Sequence, residues 1–190
     1  YLRVAALRDD TTAYNATVPS TSTLANLVTN EQIYGVFSSS VTANWKPLPT
    51  AAQGGSSSTA EGYVLEASTD TNFNGDIFSS ATPNVLLSTL TVINLAGNAT
   101  YYFRVGSLNW GSVANYEFIG STLTKTPPKT WDGEAQDLNW YTGANWNPNG
   151  VPTATDAVLI NVTTSVIVNA SSPSIKVLSL TLGKLDGTVR

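Results

Sequence analysis

The sequence predicts an all-β protein in which Greek-key β-sandwiches occur in tandem and a second β-rich module follows. Three observations support this class. Short segments of alternating apolar and polar residues are separated by turn residues throughout, and no segment has the periodicity of a credible helix. One turn leads into a long alternating strand that begins with a tyrosine. The phrase around that strand occurs twice in the chain.

The tyrosine-containing strand is the strongest of these signals. Leu95 lies six residues before Tyr101, and Tyr101, Phe103 and Val105 alternate along one face of the predicted strand. A tyrosine in this position can bury its ring while its hydroxyl bonds to the backbone of the preceding crossing, which is the tyrosine corner of Greek-key sandwiches. We therefore expect these four residues in the core. The spacing resembles the E–F corner and the F strand of a fibronectin type III domain.

The repeated phrase predicts the domain organisation. Tyr1-Leu-Arg-Val-Ala-Ala-Leu7 repeats Tyr102-Phe-Arg-Val-Gly-Ser-Leu108 at an offset of 101 residues, and about a hundred residues is the size of one such sandwich. The chain is therefore expected to begin inside a domain, at its F strand. The predicted units are the F and G strands of a preceding repeat (1–29), a complete fibronectin type III-like domain (30–127) and a tryptophan-rich β-module (128–190).

Within the complete domain, local patterns predict each strand. Alternation places Trp45 inward on strand B and Tyr63 inward on strand C, and the proline that follows Trp45 ends strand B because proline cannot donate to a ladder. Residues 24–29 are expected to link the two repeats. The predicted strands are A (33–36), B (41–45), C (63–67), C′ (77–80), E (86–93), F (101–108) and G (116–125).

The composition changes after residue 125. A stiff, proline-containing linker at residues 126–130 precedes three tryptophans within sixteen residues, Trp131, Trp140 and Trp146. Short segments of alternating apolar residues follow. This stretch resembles the tryptophan-rich entry segment of large bacterial surface proteins, followed by the first rungs of a β-solenoid.

Charge and composition restrict the partners and the chemistry. The net charge is -4 and the 9 basic residues form no cluster, so nucleic acid is not an expected partner. No apolar run approaches the roughly 20 residues of a membrane span, so no membrane insertion is expected. Cysteine and histidine are absent, which leaves no nucleophile–base pair and no zinc site. The acidic residues Asp132, Glu134 and Asp156 occur in turn contexts, so we expect solvated carboxylates and no enzyme.

One loop carries part of a calcium-binding pattern. Asp70, Asn72, Asn74 and Asp76 place oxygen ligands at alternate positions, with glycine at the sixth position. The twelfth position is Ala81, where a bidentate glutamate is needed. Two interpretations stay open, a polar turn between strands C and C′ and weak Ca²⁺ binding. No other cofactor is expected.

Aromatic residues are the candidates for ligand contacts. Trp110 is predicted on the F–G loop, where sandwich domains place binding residues, and Phe73 in the C–C′ loop is a second contact candidate. Tyr141 and Trp146 could belong to an aromatic platform that stacks on the apolar faces of sugars. The alternatives are that Trp110 packs against a neighbouring module and that the aromatic residues of the second module fill its core.

The family resemblance implies a non-catalytic structural or adhesion module, secreted or on a bacterial cell surface, that mediates assembly or spacing. Its partners would be copies of itself or other surface proteins, and polysaccharide is a further candidate. The alternative is a carbohydrate-binding accessory module of a larger secreted carbohydrate-active enzyme. If Tyr1 is a true terminus, its strands would complete a sandwich in another chain. Otherwise these residues belong to a longer polypeptide.

Overall fold

The computed structural model describes residues 5–14, 22–50, 59–162, 166–168 and 174–183. The chain divides into two compact units, Tyr1–Lys125 and Thr126–Arg190. The predicted strands of residues 1–25 fall partly on residues 1–4 and 15–21, outside the described residues, so the assignment of 1–29 to a preceding repeat stays a prediction. No helix in the described parts of the chain is both long and apolar enough to cross a bilayer.

A two-stranded antiparallel hairpin comes first in the described chain. Strand β1 (Ala5–Arg8) pairs with β2 (Thr11–Tyr14) across a two-residue turn. Asp9 and Asp10 have φ angles of 46° and 58°, and two left-handed residues in succession form the type I′ turn that matches the twist of a tight hairpin. All residues of both strands are exposed.

A β-sandwich occupies the rest of the first unit. Its strands are β3 (Thr29–Val36), β4 (Ser40–Lys46), β5 (Gly62–Ser68), β6 (Ile77–Thr82), β7 (Thr89–Ile93), β8 (Thr100–Leu108) and β9 (Ala114–Leu123). One sheet has the order β3–β4–β7 and the other β6–β5–β8–β9, with antiparallel pairing throughout. These are strands A, B and E facing C′, C, F and G. The predicted all-β class and fibronectin type III-like sandwich are confirmed.

Strand E is shorter than predicted because a turn precedes it. It begins at Thr89 rather than at residue 86. The Oδ1 atom of Asn84 accepts a hydrogen bond from the N–H of Leu86 at 3.0 Å, and the carbonyl of Asn84 accepts one from the N–H of Leu87 at 3.1 Å. Asparagine competes with strand pairing by bonding to nearby backbone in this way.

The core of the sandwich lies between its two sheets. The residues predicted for it are all buried, with 4% exposure or less: Trp45, Tyr63, Leu95, Tyr101, Phe103 and Val105. The hydroxyl of Tyr101 accepts a hydrogen bond from the N–H of Ala96 at 3.0 Å. This is the bond of the predicted tyrosine corner, and it satisfies a backbone donor next to Leu95.

Residues 22–28, called here the entry strap, pack against the sandwich. Ala25 and Val28 belong to the same buried cluster as the sandwich core. The Oγ atom of Ser107 donates to the carbonyl of Asn26 at 2.6 Å, and the Nδ2 atom of Asn115 donates to the carbonyl of Ala25 at 2.8 Å. Strands β8 and β9 therefore bind the backbone of this segment, and the role of residues 24–29 as a link between two repeats stays a prediction.

The second unit contains a mixed four-stranded sheet. Its strands are β10 (Lys129–Trp131), β11 (Trp146–Asn147), β12 (Ala157–Ile160) and β13 (Ser179–Leu182). The order is β11–β10–β12–β13. Strand β11 is antiparallel to β10, whereas β12 runs parallel to both β10 and β13. A solenoid entry would require parallel pairing of successive segments, and that assignment stays a prediction.

Candidate functional site

The most exposed tryptophan of the described chain is Trp110, which lies in the loop between β8 and β9. Its side chain is 80% exposed, as expected for a residue on the F–G loop. An indole offers a large apolar surface, and an isolated indole left in water is an unusual feature that favours a contact role. Trp110 is therefore the centre of the candidate site.

Asn109 fixes the loop that carries Trp110. Its Oδ1 atom accepts hydrogen bonds from the N–H groups of Gly111 and Val113 at 3.0 and 2.9 Å. Its Nδ2 atom donates to the carbonyls of Ser22 and Thr23 in the entry strap at 3.3 and 2.9 Å. Asn109 is only 6% exposed. One buried amide thus holds both the loop and the strap, which restrains the backbone on either side of Trp110.

Two clefts flank Trp110. The first has a volume of about 340 Å³ and lies towards the entry strap. The second has a volume of about 390 Å³ and lies towards the end of β6. Both are lined by Glu61, Asn109 and Trp110. Trp110 therefore borders two concave surfaces, and the same acidic residue, Glu61, lines both.

The second predicted contact, Phe73, is buried instead. It is 9% exposed, and the guanidinium of Arg104 lies 4.1 Å from its ring centroid and 3.9 Å from that of Tyr116. Glu66 accepts hydrogen bonds from Arg104 Nε and from the Tyr116 hydroxyl, each at 2.8 Å. We call these four residues the Arg104 cluster. The prediction of Phe73 as a ligand contact is wrong because its ring covers the arginine.

The electrostatics of the Arg104 cluster affect its tyrosine. Burial raises the pKa of Tyr116 most, the hydrogen bond to the Glu66 carboxylate and the negative charge of that group add to the increase, and the resulting pKa is about 12. Arg104 acts in the opposite direction but is the smaller influence. Sequence patterns gave no indication of this cluster. In the folded chain, residues 66 and 104 are directly paired across β5 and β8.

The predicted sugar platform of the second unit is a hydrophobic core. Trp131, Trp140 and Trp146 are 2%, 3% and 0% exposed, with edge-to-face ring contacts at centroid distances of 5.0 and 4.6 Å. The Nε1 atom of Trp146 donates to the carbonyl of Trp140 at 2.8 Å. Tyr141 is half-buried against the same cluster. A ring with no exposed face cannot stack on a sugar, so Trp146 is corrected from a ligand contact to a core residue.

The predicted calcium loop forms a hydrogen-bonded turn. The Oδ1 atom of Asp70 accepts from the N–H of Asn72 at 2.9 Å, and its carbonyl accepts from the N–H of Phe73 at 3.1 Å. In the described chain, no three acidic, histidine or cysteine side chains are grouped so that they could hold a metal ion. Weak cation binding by Asp70, Asn72, Asn74 and Asp76 stays a prediction.

The acidic residues of the second unit stabilise turns. The Oδ1 atom of Asp132 accepts from the N–H of Glu134 at 3.2 Å. The Oδ2 atom of Asp156 accepts from the N–H and the hydroxyl of Thr153 at 2.7 and 2.8 Å, which lowers the pKa of Asp156. Hydrogen bonds from Thr142, Asn139 and Asn145 likewise lower the pKa of Asp137. These contacts are those of turn residues.

Comparison with known proteins finds fibronectin type III domains among the similar solved structures. No protein-family model matches the chain, and no curated protein matches it. The fn3 domain of the human collagen alpha-1(XX) chain is 18% identical with a TM-score of 0.42, and the match covers 57% of this chain and 92% of that chain. The fn3 domain of human contactin 1 is 15% identical with a TM-score of 0.46, covering 59% and 88%. The FN1–FN3 domains of chicken CNTN1 are 14% identical with a TM-score of 0.44, covering 65% and 42%.

Proposed function

We propose that this chain is a non-catalytic extracellular module that mediates protein–protein assembly in a bacterial surface or filament-forming protein. The observation that carries the proposal is the position of Trp110, an indole 80% exposed at one end of the sandwich. Its contact surface would consist of Trp110 and the two clefts beside it. The partners would be copies of the same chain or other surface proteins.

The geometry of the loop supports a contact role. Tryptophan is among the residues that contribute most to binding at protein interfaces, particularly when it inserts into a pocket on the partner. The four hydrogen bonds of Asn109 restrain the loop before any partner arrives. A restrained loop loses little conformational entropy on binding, and this raises the affinity that a given contact area can provide.

The proposed location rests on composition and on resemblance. Charged residues make up only 12% of the sequence and cysteine is absent, so polar uncharged residues provide much of the surface. This composition is common in secreted β-proteins. The tryptophan-rich stretch from residue 128 resembles the entry segments of large bacterial surface proteins. Together these features favour secretion and a surface location.

Self-association of the full chain tests the proposal. Sedimentation velocity from 10 µM to 1 mM should reveal reversible association that W110A reduces at least about tenfold, because the substitution removes the exposed ring. The matched control is Y34A, which removes another exposed aromatic ring, 74% exposed and located on β3. Equal loss in both variants would contradict the contact role of Trp110, and no association of the unaltered chain at 1 mM would contradict assembly through copies of the same chain.

Carbohydrate binding is the second candidate function, and the clefts beside Trp110 favour it. An exposed indole face next to a concave surface is suited to stacking on a sugar ring. The chain would then be an accessory module of a larger secreted carbohydrate-active enzyme. Titration with neutral oligosaccharides, followed by the indole N–H signal of Trp110, separates the two candidates. A saturable change of this signal, accompanied by shifts of the backbone N–H signals of Gly111 and Val113 that W110A abolishes, would favour the carbohydrate function.

A further inference from the structure

We infer that the two clefts beside Trp110 bind a lysine or arginine side chain of a partner polypeptide, an inference that rests on the proposed function. Glu61 and Trp110 line both clefts. The N–H of Glu61 donates to the carbonyl of Leu108 at 2.8 Å. This bond fixes the backbone of Glu61 beside the start of the loop that carries the indole.

The clefts carry a negative charge and no positive one. Glu61 is the only ionisable residue among those described as lining them, and it is exposed. The ion pairs in the described residues join Arg8 to Asp9 and Arg104 to Glu66, so none of them neutralises Glu61. A carboxylate residue and an indole that line the same cleft attract a cation in two ways, through the charge of the carboxylate and through the quadrupole of the ring.

The other polar residue shared by the clefts is not available to a ligand. Asn109 uses its amide oxygen on two backbone N–H groups and its amide nitrogen on two carbonyls. The shared wall therefore offers Glu61, which accepts hydrogen bonds and cannot donate them while ionised. A cationic donor complements such a group better than a neutral hydroxyl, because the hydrogen bond is then charge-assisted.

The walls of the second cleft fit the stem of a basic side chain. Ala81, Pro83 and Leu108 provide apolar surface beside the indole. Lysine and arginine bury their methylene groups along apolar surface while the charged head stays at a polar or solvated position. In such a cleft the apolar wall would contact the methylene groups, and the Glu61 carboxylate would bind the charged head.

NMR titration of the full chain provides the test. The five tryptophans give five indole N–H signals, and W110F identifies the signal of Trp110. The probe is a peptide of alternating serine and lysine with four lysines, acetylated and amidated at its ends. We expect a saturable shift of the Trp110 signal that E61Q weakens about fivefold and that 0.5 M salt weakens in the unaltered chain.

Two controls make the result specific. The first is the same peptide with all lysines acetylated, which keeps the stem and removes the charge; we expect little or no shift of Trp110. The second is E134Q, which removes an exposed carboxylate that does not line either cleft. It should bind the lysine peptide as the unaltered chain does. Equal binding of the acetylated peptide, or equal weakening by E134Q and E61Q, would overturn the inference.

The result is separable from the test of the proposed function. Self-association that depends on Trp110, together with no shift on adding the lysine peptide up to 10 mM, would retain the assembly function and overturn the cation site. Binding of the lysine peptide without self-association would retain the cation site and overturn assembly through copies of the same chain. A Trp110 shift caused by neutral oligosaccharides alone would overturn both.

Discussion

Replacement of Asn109 by alanine is the sharpest test of how the Trp110 loop is held. The substitution removes four hydrogen bonds, two to N–H groups of the loop and two to carbonyls of the entry strap. The N–H of Gly111 keeps a second, longer contact with Ser22 Oγ at 3.3 Å. Each bond contributes about 0.5–1.5 kcal/mol. With part of the loss recovered by Ser22 and by water, N109A should lower the free energy of unfolding by about 2–4 kcal/mol.

Urea denaturation of the full chain, followed by NMR signals of the sandwich, measures this loss. N115A is the matched control, because Asn115 uses the same chemical group for one bond, from its Nδ2 atom to the carbonyl of Ala25. We expect N115A to lower the free energy of unfolding by about 1 kcal/mol. Hydrogen exchange at Gly111 and Val113 should accelerate in N109A and stay unchanged in N115A. A cost for N109A no larger than that for N115A would refute the assignment of Asn109 as the residue that holds the loop.

Three further predictions concern other parts of the chain. Because the folded-state pKa of Tyr116 is raised from 10.0 to about 12, its stabilising contribution is complete below pH 10 and is lost as the pH rises through 12. The full shift in pKa corresponds to about 2.7 kcal/mol of stability, and solvent screening at this part-exposed site reduces this contribution to about 1 kcal/mol. Urea titrations should therefore show a steeper loss of stability between pH 9 and 12 in the unaltered chain than in Y116F. Y101F should cost about 1–2 kcal/mol in urea denaturation, since it leaves the N–H of Ala96 without its partner; no cost would argue against the tyrosine corner. W146A should lower the stability of the second unit by about 3–5 kcal/mol, because a fully buried indole is replaced by a cavity. A thermal transition that circular dichroism shows to be unchanged would contradict this core position.

The sandwich was predictable because its signals are local. Alternation with a period of two places Tyr101, Phe103 and Val105 on one face in any regular strand, and the leucine six residues earlier marks the corner. These patterns need no knowledge of the partner strands. The structure places strands A, B and E in one sheet and C′, C, F and G in the other, an arrangement that these local patterns do not specify.

The entry strap and the Arg104 cluster were not predictable, because both depend on contacts distant in sequence. Ala25 belongs to the buried cluster of the sandwich, and Asn115, far along the chain, binds its carbonyl. From the sequence alone, Phe73 is expected to be an exposed loop residue. In the folded chain, Arg104 packs against its ring. The position of Trp110 could be predicted from the loop, whereas the participation of Glu61 could not, since the backbone bond from Glu61 to Leu108 is visible only in the folded chain.

The entry strap also gives the sandwich a mechanical element. If tension were applied between the strap and Lys125, side-chain bonds from Ser107, Asn109 and Asn115 would carry the load first, at several points along the strap. Bonds loaded together resist force better than bonds that break one after another. Their rupture would release residues 22–28, whose fully extended length is about 2.5 nm, while the tyrosine corner and both sheets remain folded. The strap would thus extend under force before the sandwich unfolds.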